Sequence, residues 1–291
     1  MERKDHVDAA GAAAMILFAF LLGFNQVVIK VSTGGFQPVF LAGLRSVGAV
    51  VAIWAWMRWR GIAIRIPHEA RVGALLLGLL FTAEFIFLYL SLDRTSVGRA
   101  SIIFYSMPVF VAIGAHLMIA GERLNTVRAL GLLLAMGGVV WVMSDQGAGQ
   151  GDILGDVMAL LAAMSWAGIA LVVRVTPLER VAPEVQLFSQ LIISAVLLMI
   201  AALFFGPFIR DLQPIHWAGY AFQTLAIASF GYLFWFFLMK RYPASGVASF
   251  SFLSPVFGVG LGWLFLNEAV GPEIIGGLML VAVGITLINR R

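Results

Sequence analysis

Apolar residues run along this chain in blocks about as long as a lipid bilayer is thick, separated by short polar punctuation. A bilayer core of about 30 Å takes about 20 apolar residues per helix. Windows of that length predict ten spans, at residues 9–30, 36–57, 72–92, 97–119, 127–144, 153–174, 184–205, 215–239, 244–266 and 271–289. The punctuation between them is of the expected kind: Gly34-Gly35, "RIPHEAR" around Pro67, "SDQGAGQGD" from Ser144, then Pro183, Pro207 and Pro214. The longest connection runs only from Arg58 to Arg71, too short for a soluble domain, so function is expected inside the membrane. The apolar stretch after "MERKDHVD" exceeds the roughly 7–15 residues of a signal-peptide core and has no small-residue cleavage pattern, so it reads as a retained transmembrane helix.

Composition agrees with lipid as the main solvent. Hydrophobic residues make up 61% and charged residues 12% of the chain, against roughly 45–50% and about 25% in a soluble domain. Mean hydropathy is +0.97. The net charge of +4 comes from basic residues scattered singly at the ends of apolar runs, with no basic stripe of the kind nucleic acid requires. That charge carries topology instead. Of the 19 Lys and Arg, 14 fall on the side holding both termini and four (Lys30, Arg94, Arg99, Arg210) on the other, with Arg45 inside a span. By the positive-inside rule both termini are cytoplasmic and the protein is a multi-pass protein of the cytoplasmic membrane. The Gly-rich loop with Asp145, Asp152 and Asp156 then faces out.

The second half of the chain lies over the first. "VGRASIIFYSMPVFVAIG" matches "GVASFSFLSPVFGVGLG" with Pro108 over Pro255, Gly121 of "GERL" falls over Asn267 of "NEAV", and "AMGGVVWV" over "VAVGITLI". Lys30 falls over Arg174. The expected organisation is five helices (1–148) followed by five (149–291). Five is odd, so the second set enters the membrane from the opposite face, giving an all-α protein of two inverted repeats. Inverted repeats are a transporter architecture, in which exchange of the halves' conformations exposes a midplane site to alternate sides.

The 5+5 plan, the paired Pro-Val-Phe helices, the glutamates Glu122 and Glu268 that follow them, and the Gly-rich fifth and tenth spans resemble the EamA branch of the drug/metabolite transporter superfamily. Within it the chain resembles the YddG-like exporters of aromatic and other amino acids. The resemblance implies a basket of helices around a central hydrophobic cavity, with the fifth and tenth helices outside. One departure is that "NEAV" lacks the basic residue of "GERL", so the two loops need not act alike.

Pro108 and Pro255 each fall about 11 residues, roughly 16 Å, into their spans, near the midplane. Each removes a backbone donor, so both are hinge candidates, with a fixed kink as the alternative. Arg45 and Glu84 are the charges deepest in lipid-length runs, and intramembrane charge is functional by default. Both lie about 12–13 Å from the outer ends of antiparallel neighbours, so they either pair with each other or leave Glu84 to bind a substrate ammonium or titrate. Lys30 and Arg174, near opposite faces, are snorkelling anchors or gate charges. Glu122 and Glu268 are expected to cap or tie loops.

Asn25, Gln26, Tyr105, Ser106, Trp166, Gln190, Tyr232, Trp235 and Ser254 are polar or aromatic groups at cavity depth. Singly each suits helix packing; together they suit a mostly apolar pocket with a few fixed polar groups. "GVGLG" from Gly258 to Gly262 has no preceding strand and reads as close helix packing rather than a dinucleotide fingerprint. With no cysteine, four scattered histidines and neither a phosphate-binding nor a zinc-binding motif, no metal, cofactor or ATP hydrolysis is expected. Nothing points to an obligatory protein partner.

The expected function is therefore secondary transport, specifically export of aromatic or hydrophobic amino acids or similar small metabolites by alternating access through the lipid bilayer. The alternatives are a sugar-phosphate, nucleotide-sugar or drug transporter of the same superfamily, and an intramembrane enzyme. Scarcity of deep positive charge disfavours the phosphorylated substrates, and the lack of a nucleophile, base and orienter at one depth disfavours the enzyme.

Overall fold

A computed structural model describes residues 8–144, 151–242, 250 and 252–289. Arg3, Lys4, Asp145, Arg290, Arg291 and the first residues of the ninth expected span, 244–249, lie outside them. The described residues are helical, without strands beyond one isolated antiparallel bridge between Phe36 and Ile209.

The helices are α1 (Ala9–Thr33), α2 (Pro38–Trp59), α3 (Arg71–Arg94), α4 (Val97–Phe104), α5 (Met107–Met118), α6 (Thr126–Ser144), α7 (Ile153–Val175), α8 (Pro183–Ala202), α9 (Pro214–Ala221), α10 (Tyr232–Arg241), α11 (Leu253–Leu266) and α12 (Pro272–Ile288). Among the described residues seven stretches are long and apolar enough to cross a membrane, α4 and α5 together forming one of them; α11 and α12 are shorter apolar helices. The starts are written locally. Asp8 accepts from Gly11 N–H at 2.8 Å, Gln37 from Phe40 at 2.7 Å and Asp152 from Leu154 at 2.9 Å. Prolines open α2, α8, α9 and α12, those of α8 and α9 being the boundary marks Pro183 and Pro214, and a missing N–H there removes no helix bond.

Two expected spans are not continuous α-helices. The fourth breaks at Tyr105–Ser106, and the Ser106 hydroxyl donates to Ile103 O at 2.6 Å across the break. Pro108 therefore sits in the first turn of α5 rather than kinking an unbroken helix, and Pro255 likewise lies in the first turn of α11. Proline is tolerated in a first turn because the N–H it lacks has no helical acceptor there. The eighth span runs α9, then π-helical turns from Phe222 to Gly231, then α10. Ser229 Oγ there donates to Thr224 O, five residues back, at 2.8 Å.

In the packing, α2 lies against α8, α3 against α7 and α8, α1 against α11 and α9, and α4 and α5 against α7. The main core follows these contacts, with Phe36, Leu77, Phe81, Leu92 and Leu191 fully buried. Gly258 of α11 faces α4: a Cβ there would stand 2.9 Å from Ser101 Cβ, as the small-residue spacing of "GVGLG" leads one to expect.

Helix α6 packs chiefly on α12, through glycines in reciprocal register. A Cβ on Gly131 would stand 2.6 Å from Gly284 O, and one on Gly138 2.7 Å from Gly277 O. As numbers rise along α6 they fall along α12, so the two run antiparallel. Gly131→Val is expected to lower stability by about 1–3 kcal/mol through overpacking. Gly137→Val, where a Cβ meets nothing within 4 Å, is expected to change it little. Denaturation of the two variants in detergent compares them, and equal stability would contradict the close contact.

The turns after α5 and α11 also correspond. Gly121 has φ +92° and Asn267 φ +53°, both in the left-handed region. Asn is among the few residues with a side chain that adopt this conformation readily, which accounts for Asn standing where the other half has Gly.

Candidate functional site

A cavity of about 790 Å³ lies between the helices, within the range of small-molecule sites. Both halves of the chain line it: Asn25 and Gln26 of α1, Arg45 of α2, Glu84 and Phe85 of α3, Phe104, Tyr105 and Pro108 of the broken span, Trp166 of α7, Tyr232 and Trp235 of α10, and Ser254 of α11. Its broken helix presents Tyr105 from the break itself.

One wall is aromatic. Phe104 stacks on Trp166 with centroids 4.9 Å apart at 15°, and Tyr105 meets Trp166 edge-on at 5.9 Å. Towards one end Phe18 stacks on Trp235 at 5.3 Å. The polar groups are few. Ser101 Oγ donates to Gln26 Oε1 at 3.3 Å, while Asn25 Oδ1 is buried without a partner.

Arg45 and Glu84 do not form an ion pair. Arg45, only 1% exposed, lies instead over the Phe85 ring at 3.8 Å from its centroid, with Tyr89 at 5.9 Å. Of the two alternatives read from the sequence, pairing with each other is therefore not the one formed: the guanidinium face lies on the ring beside Glu84 and its in-plane edge meets no carboxylate.

The cavity is reached from the end of the bundle where the described chain begins and finishes. Glu122, Leu124, Arg128, Arg174 and the exposed Asn289 line this mouth. Arg174 forms an ion pair with Glu122, both side chains about 40% exposed, tying α7 to the turn after α5.

The other end is closed by a hydrogen-bonded plug. Glu268 Oε1 and Oε2 accept from the N–H groups of Val97 at 2.7 Å and Gly98 at 3.0 Å, capping α4. Lys30 Nζ donates to Leu92 O at 3.0 Å and Thr95 O at 2.7 Å, completing the end of α3. Arg210 pairs with Asp93 at 2.6 Å and donates to Thr33 O. Beneath them Arg99 and Asp156 form a buried pair, their side chains 4% and 0% exposed.

Several expected site residues thus fall elsewhere. Lys30, read as a snorkelling anchor or a gate charge, lies outside the lining and donates to the carbonyls at the end of α3. Ser106 and Gln190 are buried outside the lining, Ser106 because its hydroxyl is spent on the helix break. Pro255 is buried outside the lining while Pro108 borders it. Glu122 and Glu268 tie and cap, as expected of them. Three residues escape sequence reasoning. Arg99 and Asp156 pass as loop charges, and Gln223, fully buried in the π-helical turns, accepts from Tyr89 OH at 2.5 Å and donates to Ser32 Oγ at 3.1 Å. A mid-span glutamine was the available signal for Gln223; its partners lie 134 and 191 residues away.

An apolar bundle with a central cavity, open at one end and plugged at the other, defines a membrane transporter. The model of the EamA-like transporter family matches the chain twice, over residues 9–144 and 153–290. The chain belongs to that family, within the drug/metabolite transporter superfamily. It is 30% identical to a probable amino-acid metabolite efflux pump of Escherichia coli K12, over 97% of this chain and 93% of that protein. It is 25% identical to the uncharacterized transporter YoaV of Bacillus subtilis, over 93% and 94% of the two chains. A solved crystal structure, 21% identical, aligns over 95% of this chain and 96% of its own with a TM-score of 0.67, a likeness of fold.

Proposed function

We propose that the protein is a secondary transporter exporting aromatic or hydrophobic amino acids, or small metabolites of similar shape, across the cytoplasmic membrane by alternating access. The observation that carries this reading is the one-ended cavity, which joins an aromatic wall to one cation and one carboxylate held apart at depth. An aromatic wall takes an apolar side chain, and the few polar groups take the charged end of the same molecule. A probable amino-acid metabolite efflux pump among the relatives supports the substrate class.

The same reading takes residues 1–148 and 149–291 as inverted five-span repeats, ten spans in all, with both termini cytoplasmic. Antiparallel packing of α6 on α12, the last span of each half, through glycines that correspond in the repeat supports the inversion. On this topology the mouth faces the cytoplasm and the plug faces out, an inward-open state. Of the expected contacts, Asn25, Gln26, Arg45, Glu84, Tyr105, Trp166, Tyr232, Trp235 and Ser254 form the site, with Arg174 at the mouth and Pro108 beside the break.

The test is uptake by purified protein in liposomes against a panel of amino acids, sugar phosphates and drugs, with imposed and collapsed pH gradients. Flux of a phosphorylated solute with none of any amino acid would overturn the reading. Glu84→Gln is expected to flatten the dependence of flux on pH, because Glu84 is the deep carboxylate of the lining. Arg45, Tyr105 and Tyr232 line the cavity with it. A pH profile identical to that of the parent would leave Glu84 out of the titration.

A further inference from the structure

We infer that Arg45 is the carboxylate anchor of the cavity and that, with Glu84, it makes the site selective for a zwitterion over the corresponding amine or acid. This rests on the transport reading above and assigns the two ends of the substrate within it.

The starting observation is a buried cation without a counter-ion. Arg45 Nε and Nη2 have no hydrogen-bond partner, although the side chain is 99% buried and borders the cavity. Burying an unpaired charge is costly, and proteins keep such a group where it meets a ligand or a partner. The Phe85 ring under the guanidinium, 3.8 Å from Cζ to centroid, offsets part of that cost while leaving the in-plane N–H edge unused. The Tyr89 ring also lies near the guanidinium and its hydroxyl donates to Gln223 at 2.5 Å, yet Nε and Nη2 of Arg45 keep no hydrogen bond. The vacant Nε–Nη2 edge is the fork that matches a carboxylate with two parallel hydrogen bonds.

Glu84 supplies the second end. It borders the same cavity, adjoins Phe85 in the chain, and stands in no ion pair with Arg45. Two opposite charges kept apart in one cavity are complementary to a molecule carrying an ammonium and a carboxylate a few bonds apart. The stacked pair of Phe104 and Trp166 then receives the apolar remainder. The corresponding acid would leave Glu84 without a cation and the amine would leave Arg45 unsatisfied, which a site built from hydrogen-bonding groups penalises strongly.

Purified protein in liposomes, loaded with labelled L-phenylalanine, tests this by competition with phenethylamine, which lacks the carboxylate, and 3-phenylpropanoate, which lacks the amine. The parent is expected to prefer phenylalanine over either by at least about 100-fold. Arg45→Gln is expected to reduce the preference over phenethylamine to within about tenfold while sparing that over 3-phenylpropanoate, and Glu84→Gln to do the reverse. Arg45→Lys keeps the charge without the fork and is expected to fall between. Folded Arg45 variants that keep the parent's preference over the amine would overturn the inference.

The parent alone supplies a second readout: thermal stabilisation in detergent by phenylalanine and not by phenethylamine is expected, and equal stabilisation by both would also overturn it. Flux of 3-phenylpropanoate that depends on Arg45, with no flux of phenylalanine, would uphold Arg45 as the anchor and overturn the amino-acid reading instead.

Discussion

Asp156→Ala is expected to lower the stability of the protein by on the order of 3–5 kcal/mol, the size of effect that follows when a buried ion pair loses one member. Asp156 lies in the first turn of α7, fully buried, and accepts from Arg99 Nε at 3.2 Å and from Thr95 Oγ1 at 2.9 Å. Its Oδ2 takes Arg99 Nη2 at 2.5 Å. Arg99 is itself only 3% exposed, so the variant leaves a guanidinium in the plug without its carboxylate. Asp156→Asn, which keeps the acceptor and loses the charge, is expected to cost less. Replacing both members with apolar residues of similar volume is expected to restore much of the loss, since the pair's attraction is largely cancelled by its desolvation. Denaturation in detergent compares the three; a cost below about 1 kcal/mol for Asp156→Ala would show that the pair carries no weight in the fold.

Glu268→Ala is expected to open the closed end. The carboxylate holds two N–H groups of the first turn of α4, where the helix dipole adds to the attraction for an anion. Hydrogen bonds to a charged group contribute about 1.5–3 kcal/mol each, so losing both shifts the balance of closed to open by about 3 kcal/mol or more, roughly 100-fold. The chain has no cysteine, so Ala100→Cys, at a fully buried position of α4, reports that opening through its rate of maleimide labelling. Labelling is expected to accelerate by one to two orders of magnitude, on the order of the shift just given. Leu124→Cys at the mouth is expected to label at the parent rate in both backgrounds. Unchanged labelling at position 100 would show that Glu268 only caps α4 and does not hold the end shut.

Much of this was legible beforehand, for identifiable reasons. Helices in lipid satisfy their own backbone, so length of apolar run and boundary residues predict them well. That is why α1, α2, α3, α6, α7 and α8 appear close to their expected bounds. The correspondence of Gly121 with Asn267 was visible as a repeat, and the left-handed backbone at both explains which residues the repeat tolerates there. Position along the helix was also legible, and Asn25, Gln26, Glu84, Tyr105, Trp166 and Tyr232, read as lying at mid-span, line the cavity.

Direction around the helix axis was not. Gln190 and Ser106 lie outside the cavity lining, Ser106 with its hydroxyl turned to Ile103. Helix continuity was hidden for a related reason: in "FYSMPVF" the apolar run continues through the break, and hydropathy has no signal for a helix that stops at Phe104 and restarts at Met107.

By itself, then, the sequence determined a membrane-embedded helical protein with an internal repeat, and where along its helix each polar residue lies, because these depend on local apolar length and on spacing along one helix. Tertiary structure alone decided that Arg45 stacks on Phe85 instead of pairing with Glu84, that Arg99 finds Asp156, and that Glu268 caps α4 while Glu122 stays at the mouth with Arg174. Each of those choices sets side chains from distant helices against one another, and the winner is settled by which partner the packing brings within about 3–4 Å.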